Sequence, residues 1–154
     1  MAISALRWFQ AALLLQVVLL GYWLAIEAVA MPPWNDLAAR TADYGLREKV
    51  ALNALPQLAL MALFVLGIRA LAAVAVVGYG VHLTIQLWHW WKPYVLGADA
   101  NWYGTYVTLY SNTTAVLPAD GLYLPPDAQH LVLQLLTLAT LVATAMAVAR
   151  MRYL

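Results

Sequence analysis

Tyr79, His82, Gln86 and His89 recur at i, i+3, i+7 and i+10, a spacing that places side chains on one face of a helix. His130, Gln134, Thr137 and Thr144 repeat the pattern later in the chain, Asn53 and Gln57 are four apart, and Gln16, Trp23 and Glu27 fall at i, i+7 and i+11. These are the residues whose types can do chemistry. Imidazoles paired with a carboxylate bind zinc, iron or copper, or move protons. Amides and a phenol hold a ligand by hydrogen bonds. A metal or haem centre would draw on His89 and His130, which lie on different helices, with Asp127 or Glu27 completing the set. No close ligand spacing such as H-E-x-x-H supports that centre. A local alternative has Asp127 capping a helix and His130 standing in its first turn.

The elements that must position these residues follow from the charges. Of 154 residues, 65% are hydrophobic and 10% are charged, against about 25% charged in a soluble domain. Between Arg7 and Glu27 lie 19 uncharged residues, between Lys49 and Arg69 another 19, between Arg69 and Lys92 22, and between Asp127 and Arg150 22. A hydrocarbon core of about 30 Å takes about 20 helical residues. Backbone amides in lipid must pair within their own segment. The reading is an all-α, polytopic membrane protein: one domain, 1–154, with four transmembrane helices in a bundle. Their spans are about 5–28, 47–68, 70–92 and 127–150, and the outer loops are 29–46 and 93–126. The first stretch is too long for a signal core and lacks a small-residue cleavage site, so it reads as a retained helix.

Four spans place both termini on one side, with Arg7, Arg69, Arg150 and Arg152 and no acid. Glu27, Asp36, Asp43, Glu48, Asp99, Asp120 and Asp127 lie on the other, with Arg40, Arg47, Lys49 and Lys92. The basic count is tied, and the tie is broken by the density of arginines on the terminal side, which sets both termini in the cytoplasm and the protein in a cell (inner) membrane. The net charge of +1 offers no basis for binding nucleic acid. With no cysteine, disulfides, thiolate metal sites and cysteine nucleophiles are excluded.

Trp88, Trp90, Trp91 and Tyr94 fall at the outer end of the third span and read as an interfacial anchor. Lys92 snorkels beside them, and Pro93 is expected to end the helix nearby. In the first loop, Asn35 or Asp36 caps a short helix closed by Gly45, with Leu37 and Tyr44 on one side of it. In the second, Asp99 caps a helix running to about Ser111, whose Tyr103, Tyr106 and Tyr110 share a face. Asp127 caps the fourth span behind Pro125 and Pro126.

Depth sharpens the polar stripes. At about 1.5 Å per residue, Asn53, His89 and His130 lie within a turn of the outer boundary, and Gln57, Gln86 and Gln134 a turn deeper. His82 lies roughly 15 Å below Lys92 by the same rise. The cytoplasmic halves are almost wholly apolar. Pro56 frees the Leu52 carbonyl and kinks the second span near the stripes. The expected result is an outward-facing polar cleft lined by His82, Gln86, His89, His130, Asn53, Gln57, Tyr79 and Glu27, with the tyrosine-bearing loop as its lid. Ionisable groups inside a membrane are functional candidates by default. Asn53, Gln16, Gln134 and the threonines also suit plain interhelical hydrogen bonding.

The segments "PWND", "WWKPYVLGA", "VLPADG" and "PPDAQH" resemble small four-helix bacterial membrane proteins. The likeness spans about residues 33–140 and implies the fold without implying an activity. Val116 departs from it, since an aromatic residue is expected there. The chain also resembles the tryptophan-rich sensory proteins superficially. That family has five helices and places its Trp and Pro residues differently, so its ligand and sites are not carried over.

The leading reading is a membrane protein that binds or senses a small ligand, lipid or ion. An accessory subunit of a larger membrane complex, or a homo-oligomer, is the alternative. A third reading is a metal- or haem-dependent enzyme, or an acid–base enzyme using Glu27 with a histidine. Transport would need oligomers, for which Gly67, Gly78 and Gly80 permit close helix contact. The orientation is open to a direct check: a reporter that works only in the cytoplasm is expected to be active when fused after Leu154. Activity there of a reporter that works only outside would reverse the topology.

Overall fold

A computed structural model describes residues 2–40 and 50–151. Helix α1 spans Ala2–Ala28 and is followed by the short α2, Leu37–Arg40. A π-helical turn, Val50–Ala54, runs into α3, Leu55–Val65. Then come α4, Arg69–Leu96; α5, Ala100–Leu109; and α6, Ala128–Arg150. Among the described residues the only extended pairings are two isolated bridges, Ala115 with Asp127 and Asp120 with Tyr123.

Three helices are long and apolar enough to cross a membrane: Ser4–Ala28 within α1, α4, and α6. The expected second span, 47–68, is not met at that length. Among the described residues the apolar helix there covers Ala51–Val65. Two local features shape it. Pro56 has no N–H to give the Leu52 carbonyl, and the backbone absorbs the ring by widening into the π turn just before it. At the other end Gly67 turns the chain at φ +70. The third span runs past its expected end at 92. Pro93 lies inside α4, in its last turn, where the helix has only a few more bonds to make. Gly97, at φ +85, is what stops it.

Packing sets the order of the helices. Ala12 of α1, Phe64 of α3, Ala72 and Ala75 of α4, and Ala143 and Ala147 of α6 form one apolar cluster, with the Phe9 and Phe64 rings stacked at 4.8 Å. The start of α1, the end of α3, the start of α4 and the end of α6 therefore share one end of the bundle, called here the terminal end. Leu19, Trp23, Ile26, Ala54, Tyr79 and Leu133 form the next cluster. The loops cover the opposite end. Gly78 lets α3 lie close against α4, since a Cβ there would come within 2.5 Å of Leu60 Cδ2.

The loops are tied down by side chains. Asn35, buried, donates through Nδ2 to the Ile26 and Val29 carbonyls at 2.9 and 2.8 Å, and its Oδ1 accepts from the Met31 N–H at 2.7 Å. Asp36 accepts from the Ala39 N–H, so Asp36 is the cap of α2. The two loops meet where Thr114 N–H donates to the Pro33 carbonyl and Asn112 Nδ2 donates to Asp36. Asp99 caps α5 by accepting from the Trp102 N–H at 2.8 Å, and α5 stops at Leu109, a little before Ser111. Gly45, Tyr44, Lys49 and Arg152 lie outside the described residues.

Gly97 holds a backbone conformation costly to any residue with a Cβ. Gly97→Ala is expected to lower stability by about 1–3 kcal/mol. Gly80→Ala, in the middle of α4 with nothing within 4 Å of the added methyl, should be neutral or raise stability by up to about 1 kcal/mol. Thermal unfolding of the two variants in one lipid mixture checks the contrast.

Candidate functional site

The expected site residues do not converge on a single chamber. They divide among four places, because helix rise fixes their depth but not the direction each face points.

The first place is the loop end. Asp127 caps α6, accepting from the His130 N–H at 2.9 Å, and is completely buried. Its Oδ1 also meets His130 Nδ1 at 2.6 Å. Its Oδ2 accepts from Thr113 Oγ1 at 3.1 Å and Gln129 Nε2 at 3.2 Å. Burial pushes this carboxyl up, but the bonds from His130 and Thr113 and the charge of His130 outweigh it and hold the group below the usual carboxylate range. Asp127 is thus surrounded by donors, with the His130 ring and backbone both on Oδ1. The His130 ring stacks on Trp90 at 3.9 Å, with Tyr110 edge-on to both. His89 meets Trp102 edge-on at 4.2 Å, and Trp102 meets Trp90 at 5.5 Å. Tyr106 is buried beneath this layer, and burial, aided by the Asp127 charge, raises its phenol above the ordinary range.

This arrangement corrects two expectations. The tryptophans are not one anchor: Trp88 is 65% exposed and holds Lys92 over its ring, whereas Trp90 is 5% exposed and forms the middle of the aromatic layer. Nor do His89, His130 and Asp127 make a metal-holding set. Among the described residues no three His, Asp or Glu side chains are placed to hold a metal ion. The reason is local. The Asp127 oxygens are taken by His130, Thr113 and Gln129, and His89 is turned toward Trp102.

The second place is the interface of α4 with α6. Gln86 Nε2 donates to Thr137 Oγ1 at 3.2 Å, and that hydroxyl donates to the Leu133 carbonyl. Trp91 Nε1 donates to Gln134 Oε1 at 2.8 Å. Two turns further down, Gln16 of α1 repeats the motif with Thr144 and the Thr140 carbonyl. Glu27 and Asn53 belong to a third place, beside Ile26 and Ala54, where the end of α1 packs on the π turn.

The fourth place is a groove of about 420 Å³ between α3 and α4, lined by Gln57, Leu60, Gly78, Tyr79, His82 and Ile85, with Pro56, Ala59 and Val81. Gln57 is 2% exposed, and neither end of its amide has a hydrogen-bond partner. The Tyr79 hydroxyl and His82 Nε2 are likewise buried without partners. Four polar atoms on three adjacent side chains are therefore unpaired at one groove. Sequence spacing found all three residues. It did not reveal that they separate from His89 and His130, and it did not single out Trp90, Thr113 or Gln129, whose roles depend on how the loop over residues 97–127 folds back.

No family model, curated protein or solved structure matches the chain, so the chemistry of these places rests on their geometry.

Asp127 and Asp99 offer a controlled comparison, since both cap helices and only Asp127 is buried. Asp127→Ala is expected to cost about 3–5 kcal/mol, and Asp99→Ala about 1 kcal/mol. The depressed Asp127 carboxyl adds stability that is present above its unfolded value, about 3.9, and is lost as pH falls through the lower folded value. Acid unfolding followed by the near-ultraviolet signal of Trp90 should therefore lose that dependence in Asp127→Asn.

Proposed function

We propose that this protein is a multi-pass membrane protein that binds a lipid-soluble molecule with a neutral, hydrogen-bonding head in the groove between α3 and α4. The observation that carries the reading is the set of unpaired atoms on Gln57, Tyr79 and His82. Leaving a buried polar group without a partner costs about 1–3 kcal/mol, and hydrocarbon supplies no water to lessen that cost. A ligand head with both accepting and donating atoms answers all three side chains. The Tyr79 hydroxyl and the Gln57 –NH₂ donate, the Gln57 carbonyl accepts, and His82 Nε2 does either according to its tautomer.

The walls define the rest of the ligand. Pro56, Ala59, Leu60, Val81 and Ile85 are apolar, and among the described residues no Lys, Arg, Asp or Glu lines the groove. A charged head would be buried there without a counter-charge, which is strongly unfavourable. The volume falls in the range of small-molecule sites.

The proposed setting is an inner membrane with both ends of the chain in the cytoplasm. Helices α1 and α4 start at the same end of the bundle, so the chain must return between them, and α3 makes that return. At about 1.5 Å per residue its described part, Ala51–Val65, is shorter than the hydrocarbon layer. Local thinning of the layer accommodates such a helix.

Binding can be measured in lipid nanodiscs with three probes: a short-chain isoprenoid benzoquinone, a long-chain alcohol and phosphatidylglycerol. The carbonyl or hydroxyl lipid is expected to raise the unfolding temperature, and phosphatidylglycerol to leave it unchanged. Gln57→Leu and Tyr79→Phe should each weaken binding about 5- to 20-fold. Ligand-free Gln57→Leu should be more stable than the parent, because an unpaired amide has been replaced by an apolar group. Equal binding by the parent and both variants would refute the assignment.

A further inference from the structure

We infer that a hydrated polar path runs from the Asp127–His130 pair along the interface of α4 with α6 to His82, giving water and protons access to the middle of the bundle from the loop end. The inference concerns a second function of the fold. It ends beside the proposed ligand groove but does not depend on that groove being occupied.

Three side chains of α4 and α6 are at least nine-tenths buried and keep one amide atom unpaired: Gln129 Oε1 beside the Asp127–His130 pair, and Gln134 Nε2 and Gln86 Oε1 at the interface. Their other amide atoms are fixed. Gln129 Nε2 donates to Asp127, Gln134 Oε1 accepts from Trp91, and Gln86 Nε2 donates to Thr137. Each amide is therefore held in place with a free donor or acceptor, and flipping Gln134 would lose its bond from Trp91. His82, with Nε2 also unpaired, stands one turn below Gln86 on the same face of α4.

The spacing suits single waters. Residues one turn apart on a helix are separated by about 6 Å along its axis, and a water with two bonds of about 2.8 Å links polar atoms nearly that far apart. His130 and Gln134 are four residues apart on one face of α6, with Gln129 Nε2 beside the His130 ring at 3.3 Å; Gln134 and Thr137 are three apart, and Gln86 is bonded to Thr137. The free atoms along the path are an acceptor, a donor, an acceptor and then an imidazole nitrogen, and water can bond with every one of them. A buried water needs two to four such partners, and apolar side chains would provide none.

The path has a mouth and a stop. His130 is 11% exposed beside a fully buried Asp127, so the pair touches solvent through the imidazole. Toward the terminal end the last unpaired buried atom among the described residues is Gln16 Oε1, beside Thr144, and past it Ala12, Phe64, Ala72, Ala75 and Ala147 pack together as an apolar plug. The path is therefore one-sided.

The chain contains no cysteine, so single cysteines report on water directly when the full-length protein in lipid nanodiscs is treated with a small charged thiosulfonate. Gln134→Cys and His82→Cys are expected to be modified completely in the folded protein. Ala143→Cys and Ala75→Cys should stay unmodified until the protein is unfolded. Adding Gln134→Leu to His82→Cys should abolish modification at position 82, while a monodisperse elution profile and an unchanged unfolding temperature show that the fold is intact. Protection of Gln134→Cys equal to that of Ala143→Cys overturns the inference. So does modification of His82→Cys that is insensitive to Gln134→Leu, because access would then come through the groove. If Gln134→Cys does not fold, Gln129→Cys takes its place with the same two outcomes. Failure of the lipid probes to bind leaves these labelling results unaffected, so the two readings fail separately.

Discussion

A hydrocarbon layer cannot hydrogen-bond, and that single constraint organises this molecule. Every polar side chain carried into the helices must find its partner inside the protein. Most do. Gln16 and Gln86 each donate to a threonine on α6, and each threonine passes its own proton to a carbonyl one turn back. Trp91 is tied to Gln134. These contacts join α1 and α4 to α6 in a bundle whose remaining surface is apolar. Gln16, Gln86, Gln129 and Gln134 each keep one amide atom unpaired while the other is bonded, whereas at the groove both ends of the Gln57 amide, the Tyr79 hydroxyl and His82 Nε2 lack partners together.

The loop end obeys the same constraint by different means. Asp127 is a buried charge, and it is kept as a charge by bonds from Thr113, Gln129 and both nitrogens that His130 presents, its backbone N–H and Nδ1. The aromatic layer of Trp90, Trp102 and Tyr110 then covers the imidazole. Asn35 does comparable work at the end of α1, satisfying two carbonyls that the helix leaves open. Polar chemistry is thus concentrated at the loop end and at mid-depth, and the terminal end is packed with alanine and phenylalanine.

Much of this was legible in the sequence. Gaps between charges located the three long helices, since a charge inside lipid is costly enough to mark the edges of a span. Asp99 and Asp127 were readable as caps because a cap needs only its own helix. The polar stripes were readable as stripes, and their depths followed from helix rise. What spacing cannot supply is azimuth. Trp88 and Trp90 look alike in the sequence, yet a step of two residues turns them to opposite sides, one outward and one into the aromatic layer. Likewise His82 and His89 share a face, but two turns apart they meet different neighbours, His82 the groove beside α3 and His89 the ring of Trp102. The early stop of α3 was hidden because its apolar run continues beyond it, through Leu66 and Ile68, and only Gly67, at φ +70, marks where the chain turns. The Asp127–His130 pair was readable as a local cap, but the bond that Thr113 adds to it was not, because Thr113 comes from a loop that no helix spacing connects to α6.

The central claim is that the groove between α3 and α4 holds a ligand whose head pairs with Gln57, Tyr79 and His82. A high-resolution experimental structure of the protein purified with its native lipids tests this most directly. The account predicts non-protein density in the groove, with a compact head within hydrogen-bonding distance of the Gln57 amide and the Tyr79 hydroxyl. A groove closed by Leu60, with those two side chains bonded to each other or to neighbouring backbone, would contradict it.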